Sequence, residues 1–206
     1  NVSQSQVHAT AALSDLAKNH EHKQAIVAAG CIPPLVQILG SSSAEAQTRA
    51  SGALSVLSTM ATAQLLITES DGIPMLVGLL RDETPLVASN HAACILWRLT
   101  SSSSNKAAIV RAGGIGRLIS LLQRTDSPEA QESITAILAD LARSDQQGVS
   151  NKGTIVGAGG VPLLVDLLSS ASSTTQKHAA CALWGLTCDP HTLSHVLSSA
   201  LESAMG

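Results

Sequence analysis

Five ten-residue blocks recur along the chain: HATAALSDLA (8–17), RASGALSVLS (49–58), HAACILWRLT (91–100), SITAILADLA (133–142) and HAACALWGLT (178–187). Their starts are 41, 42, 42 and 45 residues apart. Self-similarity at such a period restricts a chain to an array of stacked units, because one unit cannot bury its apolar face without a neighbour. Every block carries Leu at its sixth and ninth places: Leu13/Leu16, Leu54/Leu57, Leu96/Leu99, Leu138/Leu141 and Leu183/Leu186. The second place is Ala9, Ala50, Ala92, Ile134 or Ala179. Apolar residues at places two, five, six and nine share one face of an α-helix.

A second pattern precedes four of the blocks. It reads KQAIVAAGCIPPLVQILG from Lys23, QLLITESDGIPMLVGLLR from Gln64, KAAIVRAGGIGRLISLLQ from Lys106 and KGTIVGAGGVPLLVDLLS from Lys152. A short helix carries Ile26, Ile67, Ile109 or Ile155. Gly30, Gly113 and Gly159 then suit a left-handed C-terminal cap, with Asp71-Gly72 serving in the remaining copy. Pro33, Pro74 and Pro162 follow in the first turn of the next helix, where a missing N–H costs no helical bond. Gly116 takes that place once. The next helix carries Leu35/Val36/Leu39, Leu76/Val77/Leu80, Leu118/Ile119/Leu122 and Leu164/Val165/Leu168.

Polar turns join the second and third helices. In TDSPEAQE, Ser127 can cap, Pro128 can open the helix and Glu129 suits its positive end. Thr84-Pro85 is expected to do the same one repeat earlier. The 45-residue spacing is absorbed by a surface loop at 142–152, and the Ser-rich runs 101–104 and 169–173 read as solvated turns.

Three helices per unit, with the runs NK..IV.AGGIP.LV.LL and HAA.ALW.LT, resemble the armadillo repeat over about residues 5–188. The Asn-Lys starts (Asn105-Lys106, Asn151-Lys152) are most similar to arrays of plant-type U-box ubiquitin ligases and vacuolar adaptors. No U-box is present, so ligase activity does not carry over. The resemblance implies an all-α, right-handed α-solenoid of three-helix repeats as a single array over 1–206. Residues 3–17 are a lone third helix; 22–59, 63–100, 105–142 and 151–187 are four full repeats. Residues 191–205 form a terminal helix with Leu193, Val196, Leu197, Ala200 and Leu201 on one face. That helix either caps the array or begins another repeat. Uncapped ends would expose apolar surface, which raises self-association through the ends.

In armadillo folds the third helices line a concave groove along which extended peptides run. Helical geometry places the residue before each block and places four, seven and eight opposite the core, with place one at the edge. The groove residues expected here are Asp15, Thr48, Arg49, Gly52, Val56, Asn90, His91, Cys94, Trp97, Arg98, Glu132, Ala136, Asp140, Lys177, His178, Cys181 and Trp184. Nuclear-import armadillo receptors carry Trp at place four and Asn at place eight. Here place four is Ala11, Gly52, Cys94, Ala136 or Cys181, and place eight is Asp15, Val56, Arg98, Asp140 or Gly185. The import-signal clamp is therefore absent. Trp97 and Trp184 either anchor a partner in the groove or pack between neighbouring repeats.

Other chemistries are disfavoured. Net charge is −3 with no block of Lys or Arg, which argues against nucleic acid. No apolar run reaches the ~18 residues of a membrane span. The His91/Cys94 and His178/Cys181 pairs could each offer two metal ligands, but they lie two repeats apart, about 20 Å at ~8–10 Å per stacked helix. One zinc ion cannot bridge that gap, and the C-x-x-H of Cys188 and His191 stands alone. IVGAGGVP (155–162) imitates a dinucleotide loop, but Pro162 replaces the third Gly and other repeats read IVAAGCIP and ITESDGIP there. No nucleophile elbow is present. The expectation is a non-catalytic scaffold with no metal or cofactor, binding a protein or extended peptide without direct membrane insertion. An adaptor segment of a larger ubiquitin ligase or vacuolar/membrane protein is the alternative, and a transport receptor ranks third. Four widely spaced cysteines and the lack of a signal peptide point to a reducing compartment, cytoplasmic or nuclear.

Overall fold

The computed structural model describes residues 4–144, 151–188, 192–194 and 196–198. The side chains of residues 4–7 and of His20 are outside that description. So are most of the loop expected at 142–152 and, in the expected terminal helix, Ala200 and Leu201. Among the described residues all regular structure is helical. The third helices are α1 (Gln4–Leu16), α4 (Ala44–Leu57), α7 (Leu86–Leu99), α10 (Pro128–Ala142) and α13 (Ser173–Thr187). The first helices are α2 (His20–Ala28), α5 (Ala61–Glu69), α8 (Ser103–Arg111) and α11 (Asn151–Gly157). The second helices are α3 (Ile32–Leu39), α6 (Gly72–Gly78), α9 (Gly114–Arg124) and α12 (Gly160–Asp166), the last running into a 3-10 turn at Leu167–Ser169.

The chain forms two compact units, Asn1–Ala112 and Gly113–Gly206. The seam falls between the first and second helices of one sequence repeat, and packing explains its place. Each first helix lies on the second helix of the preceding repeat: α5 on α3 and α8 on α6 in the first unit, α11 on α9 in the second. The structural unit is thus offset from the sequence period. In the first unit α4 packs against both α1 and α7; in the second, α10 packs against α13. The first core includes Leu35, Leu39, Leu54, Leu57, Ile67 and Leu76, and the second Leu118, Leu138, Leu141, Leu164 and Leu186, all at most 2% exposed. Each such side chain contributes about 1.5–3 kcal/mol.

The corners between first and second helices form as expected. Gly30, Gly113 and Gly159 have φ between 72° and 77°, and Asp71 takes the same left-handed conformation at φ 55°. The residue after the corner has a different requirement. A Cβ on Gly72 would lie 2.5 Å from the Ile67 carbonyl oxygen, and one on Gly160 would lie 2.9 Å from the Ile155 carbonyl oxygen. Close approach of the two helices, not backbone torsion, demands glycine there.

Third helices open on capping serines. Ser43, Ser127 and Ser172 each accept from the N–H three residues on, at 3.3 Å. Thr84-Pro85 departs from the expectation. Pro85 is itself the extended N-cap of α7 (φ −53°, ψ 128°), and no side chain caps that helix. With its ψ extended, Pro85 stays outside the helix, and its carbonyl accepts from Ala88 and Ser89 N–H at 2.8 and 3.1 Å.

Side-chain amides close the remaining joints. Gln47, Gln131 and Gln176 each donate to the carbonyl six residues earlier, at 2.7, 3.0 and 2.7 Å. Asn105 donates to Leu99 O at 3.0 Å and Asn151 to Leu141 O at 3.2 Å. These acceptors are carbonyls at third-helix C-termini, which lack partners within the helix. The Asn of the Asn-Lys starts is therefore a buried joint. Thr192 repeats the arrangement, its hydroxyl donating to Leu186 O. Thr192 and Val196 are buried four residues apart, like Asn105/Ile109 and Asn151/Ile155. Residues 192–194 and 196–198 thus hold the position of a further first helix.

Candidate partner-binding face

The expected groove residues sit on third helices, so their spacing is set by helix stacking within each unit. In the first unit, α1 supplies Asp15, exposed and held 2.8 Å from Lys18 Nζ. The hydrogen bond and charge of Lys18 keep its carboxyl below the usual range. On α4, Thr48 donates to Ala44 O at 2.9 Å, Arg49 lies 3.8 Å from Glu45, and Val56 is half-buried. The His91 ring lies over Gly52, with Cε1 3.4 Å from where a Cβ would stand, an ordinary van der Waals distance.

Asn90, His91, Cys94, Trp97 and Arg98 on α7 are all half-buried. His91 Nδ1 lies 3.2 Å from Ser51 Oγ on α4, and burial lowers its pKa. Arg98 Nη1 donates to Ser58 Oγ at 3.2 Å and to Ser55 O and Cys94 O at 3.4 Å. Its charge serves the C-terminal end of α4, where the helix dipole favours a cation. His91 and Arg98 therefore clamp two third helices together. The sequence marks the clamp only by Ser51 and Ser58, which look like ordinary polar positions until the register of α4 against α7 is known.

In the second unit, Glu132 and Asp140 on α10 are half-buried, and Asp140 Oδ1 receives Arg143 Nη2 at 2.7 Å. Ala136 is a correction. It is 4% exposed, and neighbouring Ala139 3%, so neither offers surface to a partner. A single-face wheel assigns them to the open side, but α10 packs on α9, α11 and α13 at once. Its residues from Ser133 to Ala139 are all buried. Gly185, at place eight of α13, is also buried, with Ala142 Cβ 3.0 Å from its own Cβ position. On α13, Lys177 is exposed and His178 and Cys181 half-buried. Trp184 stands 64% exposed. The two tryptophans therefore differ: Trp97 is half-buried, whereas Trp184 presents most of its ring to solvent.

Among the described residues, no group of three or more His, Cys, Asp or Glu is placed to hold a metal ion. No single described helix is long and apolar enough to cross a membrane. The IVGAGGVP segment is the α11–α12 corner, with Gly159 at φ 77°.

The family model described as Armadillo/beta-catenin-like repeat matches residues 19–59, 102–143 and 149–188. The juxtamembrane domain-associated catenin of Caenorhabditis elegans is 31% identical over 115 residues, spanning 54% of this chain and 9% of that protein. An engineered protein of known crystal structure is 31% identical, with a TM-score of 0.74, over 97% of this chain and 80% of its own. A computationally designed armadillo repeat protein for modular peptide recognition superposes with a TM-score of 0.76 at 23% identity, over 95% of this chain and 82% of its own. Another, solved with the peptide (KR)4, gives 0.70 at 22%, over 97% and 82%. The last two likenesses speak to the fold, which is that of all-α armadillo solenoids.

Proposed function

Because this chain belongs to the armadillo/beta-catenin-like repeat family, we propose that it is a non-catalytic scaffold that binds an extended segment of a partner protein along its third helices. The observation that carries this reading is Trp184. A large aromatic side chain 64% exposed on a well-packed helix is costly to leave in water and matches the anchors that dominate protein interfaces. Lys177, His178 and Cys181 lie on the same helix and offer polar contacts beside it.

The electrostatics favour an apolar anchor over a basic peptide. Two acidic groups of the expected groove, Asp15 and Asp140, are each held by a cation three residues on, Lys18 and Arg143. A designed relative was solved with (KR)4, but here those carboxylates are already engaged. Exposed pairs of this kind are worth only ~0–1 kcal/mol, so they weaken a Lys/Arg-rich ligand without blocking it.

The test begins with affinity capture of a partner by the full chain, followed by titration of variants. Trp184→Ala is expected to weaken binding by about thirtyfold, the scale of a hot-spot aromatic at ~2 kcal/mol. Trp97→Ala is expected to do less. Binding unchanged by Trp184→Ala, Asp140→Ala and Glu132→Ala together would place the partner elsewhere.

A further inference from the structure

One helix corner departs from its three counterparts. Gly30, Gly113 and Gly159 hold the left-handed place at the others, but between α5 and α6 that residue is Asp71. Left-handed backbone crowds a Cβ against the carbonyl oxygen, a cost that Gly avoids and that Asp lessens only by bonding locally. Here the Asp71 side chain makes no capping bond to α6, and the residue is exposed. The first helix that packs on α6 is α8, and it departs as well. Two places after the buried isoleucine the first helices carry Ala28, Glu69, Arg111 and Gly157, so only α8 has a cation there. One place before that isoleucine, α8 has Ala108 where α5 and α11 have the larger Leu66 and Thr154.

These departures meet in one cleft of about 490 Å³, which lies wholly within the unit Asn1–Ala112. Asp71 and Arg111 line it together with the apolar Ile73, Pro74 and Ala108. Its other polar side chains already serve the fold. Thr68 donates to Gln64 O at 3.0 Å, Asn105 donates to Leu99 O at 3.0 Å, and the Ser104 hydroxyl lies 2.7 Å from that of Ser102. Among the described residues, the side chains of Asp71 and Arg111 have no hydrogen-bond or ion-pair partner, each other included. The cleft therefore presents one anion and one cation, both exposed, beside apolar surface. Its α8 wall, from Ser104 to Ala112, is about 12 Å long at ~1.5 Å per helical residue. About three or four residues of extended chain, at ~3.3 Å each, span that length, whereas one free amino acid does not.

We infer that this cleft is a second docking site, which takes a short extended segment of a partner protein carrying a basic and an acidic side chain within about four residues. The basic side chain pairs with Asp71. The acidic one pairs with Arg111, whose planar guanidinium suits a carboxylate bidentately. The aliphatic stems between the two charges lie against Ile73, Pro74 and Ala108. Charge complementarity selects this occupant, because a segment of one sign would be repelled by either Asp71 or Arg111. The site is built from a corner and a first helix, so it is separate from the third-helix side chains proposed above to bind a partner.

The test is selection of phage-displayed heptapeptides on the full chain, with counter-selection on a variant carrying both Asp71→Gly and Arg111→Ala. The expected result is a set of peptides that share a basic and an acidic residue within about four places. Asp71→Gly or Arg111→Ala alone should weaken their binding by about tenfold or more, the scale of one charge-assisted hydrogen bond. Asp71→Gly also separates binding from folding. It installs the residue found at the other three corners, so its urea midpoint should hold or rise while its affinity falls. Trp184→Ala should leave these peptides bound as before, which keeps a failure here distinct from a failure of the third-helix reading. No enrichment over the double variant would overturn the inference. So would enriched peptides without the charge pair, or binding unmoved by Asp71→Gly. Displacement of the peptides by equal concentrations of free lysine or glutamate would overturn it too, marking a site for small zwitterions instead.

Discussion

Replacing Gly72 by Ala tests the corner geometry most directly. The new Cβ would stand 2.5 Å from the Ile67 carbonyl oxygen and 2.6 Å from Ile67 Cγ2. Both distances are far inside van der Waals contact, and the oxygen belongs to backbone. The last turn of α5 holds it: Ser70 N–H donates to Leu66 O at 3.0 Å and Asp71 N–H to Thr68 O at 3.2 Å. The corner can open only by stretching these bonds or lifting α6 from α5. Overpacking costs about 1–3 kcal/mol, and a backbone obstacle puts Gly72→Ala near the upper end. A loss of about 3 kcal/mol is roughly a hundredfold in the unfolding equilibrium. The assay is urea denaturation followed by fluorescence in a Trp184→Phe background. Trp97 lies in the unit Asn1–Ala112 and Trp184 in the other, so Trp97 then reports the mutated unit alone. The chain has no Tyr or natural Phe to complicate the signal. Gly116→Ala is the control: nothing lies within 4 Å of a Cβ there. It should stabilise by about 0.5 kcal/mol through the unfolded state, read by circular dichroism. A Gly72→Ala loss below about 0.5 kcal/mol, the scale of a neutral surface change, would refute the close-approach argument.

Two further outcomes follow from the joints. Asn105→Ala removes the 3.0 Å bond to Leu99 O, which keeps only the longer one from Ser102 N–H at 3.4 Å, so a loss of about 1 kcal/mol is expected in the same urea assay. Burial lowers the His91 pKa below 6.5, so the folded chain binds this proton less readily than the unfolded chain. Its contribution is therefore complete above pH 6.5 and is lost as pH falls below that value towards the depressed folded one. Urea midpoints at neutral and mildly acid pH should show that slope in the parent chain and a shallower one in His91→Gln; equal slopes would refute it.

Much of the architecture was legible because it rests on local chemistry repeated several times. Leu at two fixed places of five blocks, glycine at the left-handed corner and Ser127-Pro128-Glu129 at a helix start each have a cause within a few residues. Pro85 misled the reading because proline suits both the N-cap and the first helical turn, and only the chain path decides between them. Ala136 misled it because a helical wheel assumes one buried face, whereas α10 is enclosed by three neighbours. Arg98 looked like a groove cation because nothing in its own block reveals that Ser58 waits on the adjacent helix.

The amino-acid sequence by itself determined the three-helix period, the helix corners and the apolar places, since 3.6-residue periodicity and glycine or proline sterics act locally. Tertiary structure alone decided how the third helices register on one another, bringing Ser51 and Ser58 of α4 against His91 and Arg98 of α7. It also decided that Trp184 stands in solvent while Trp97, in a nearly identical block, is half-buried. The blocks HAACILWRLT and HAACALWGLT differ at two positions. Their exposures differ because burial belongs to a residue's neighbours, and α7 and α13 do not have the same ones.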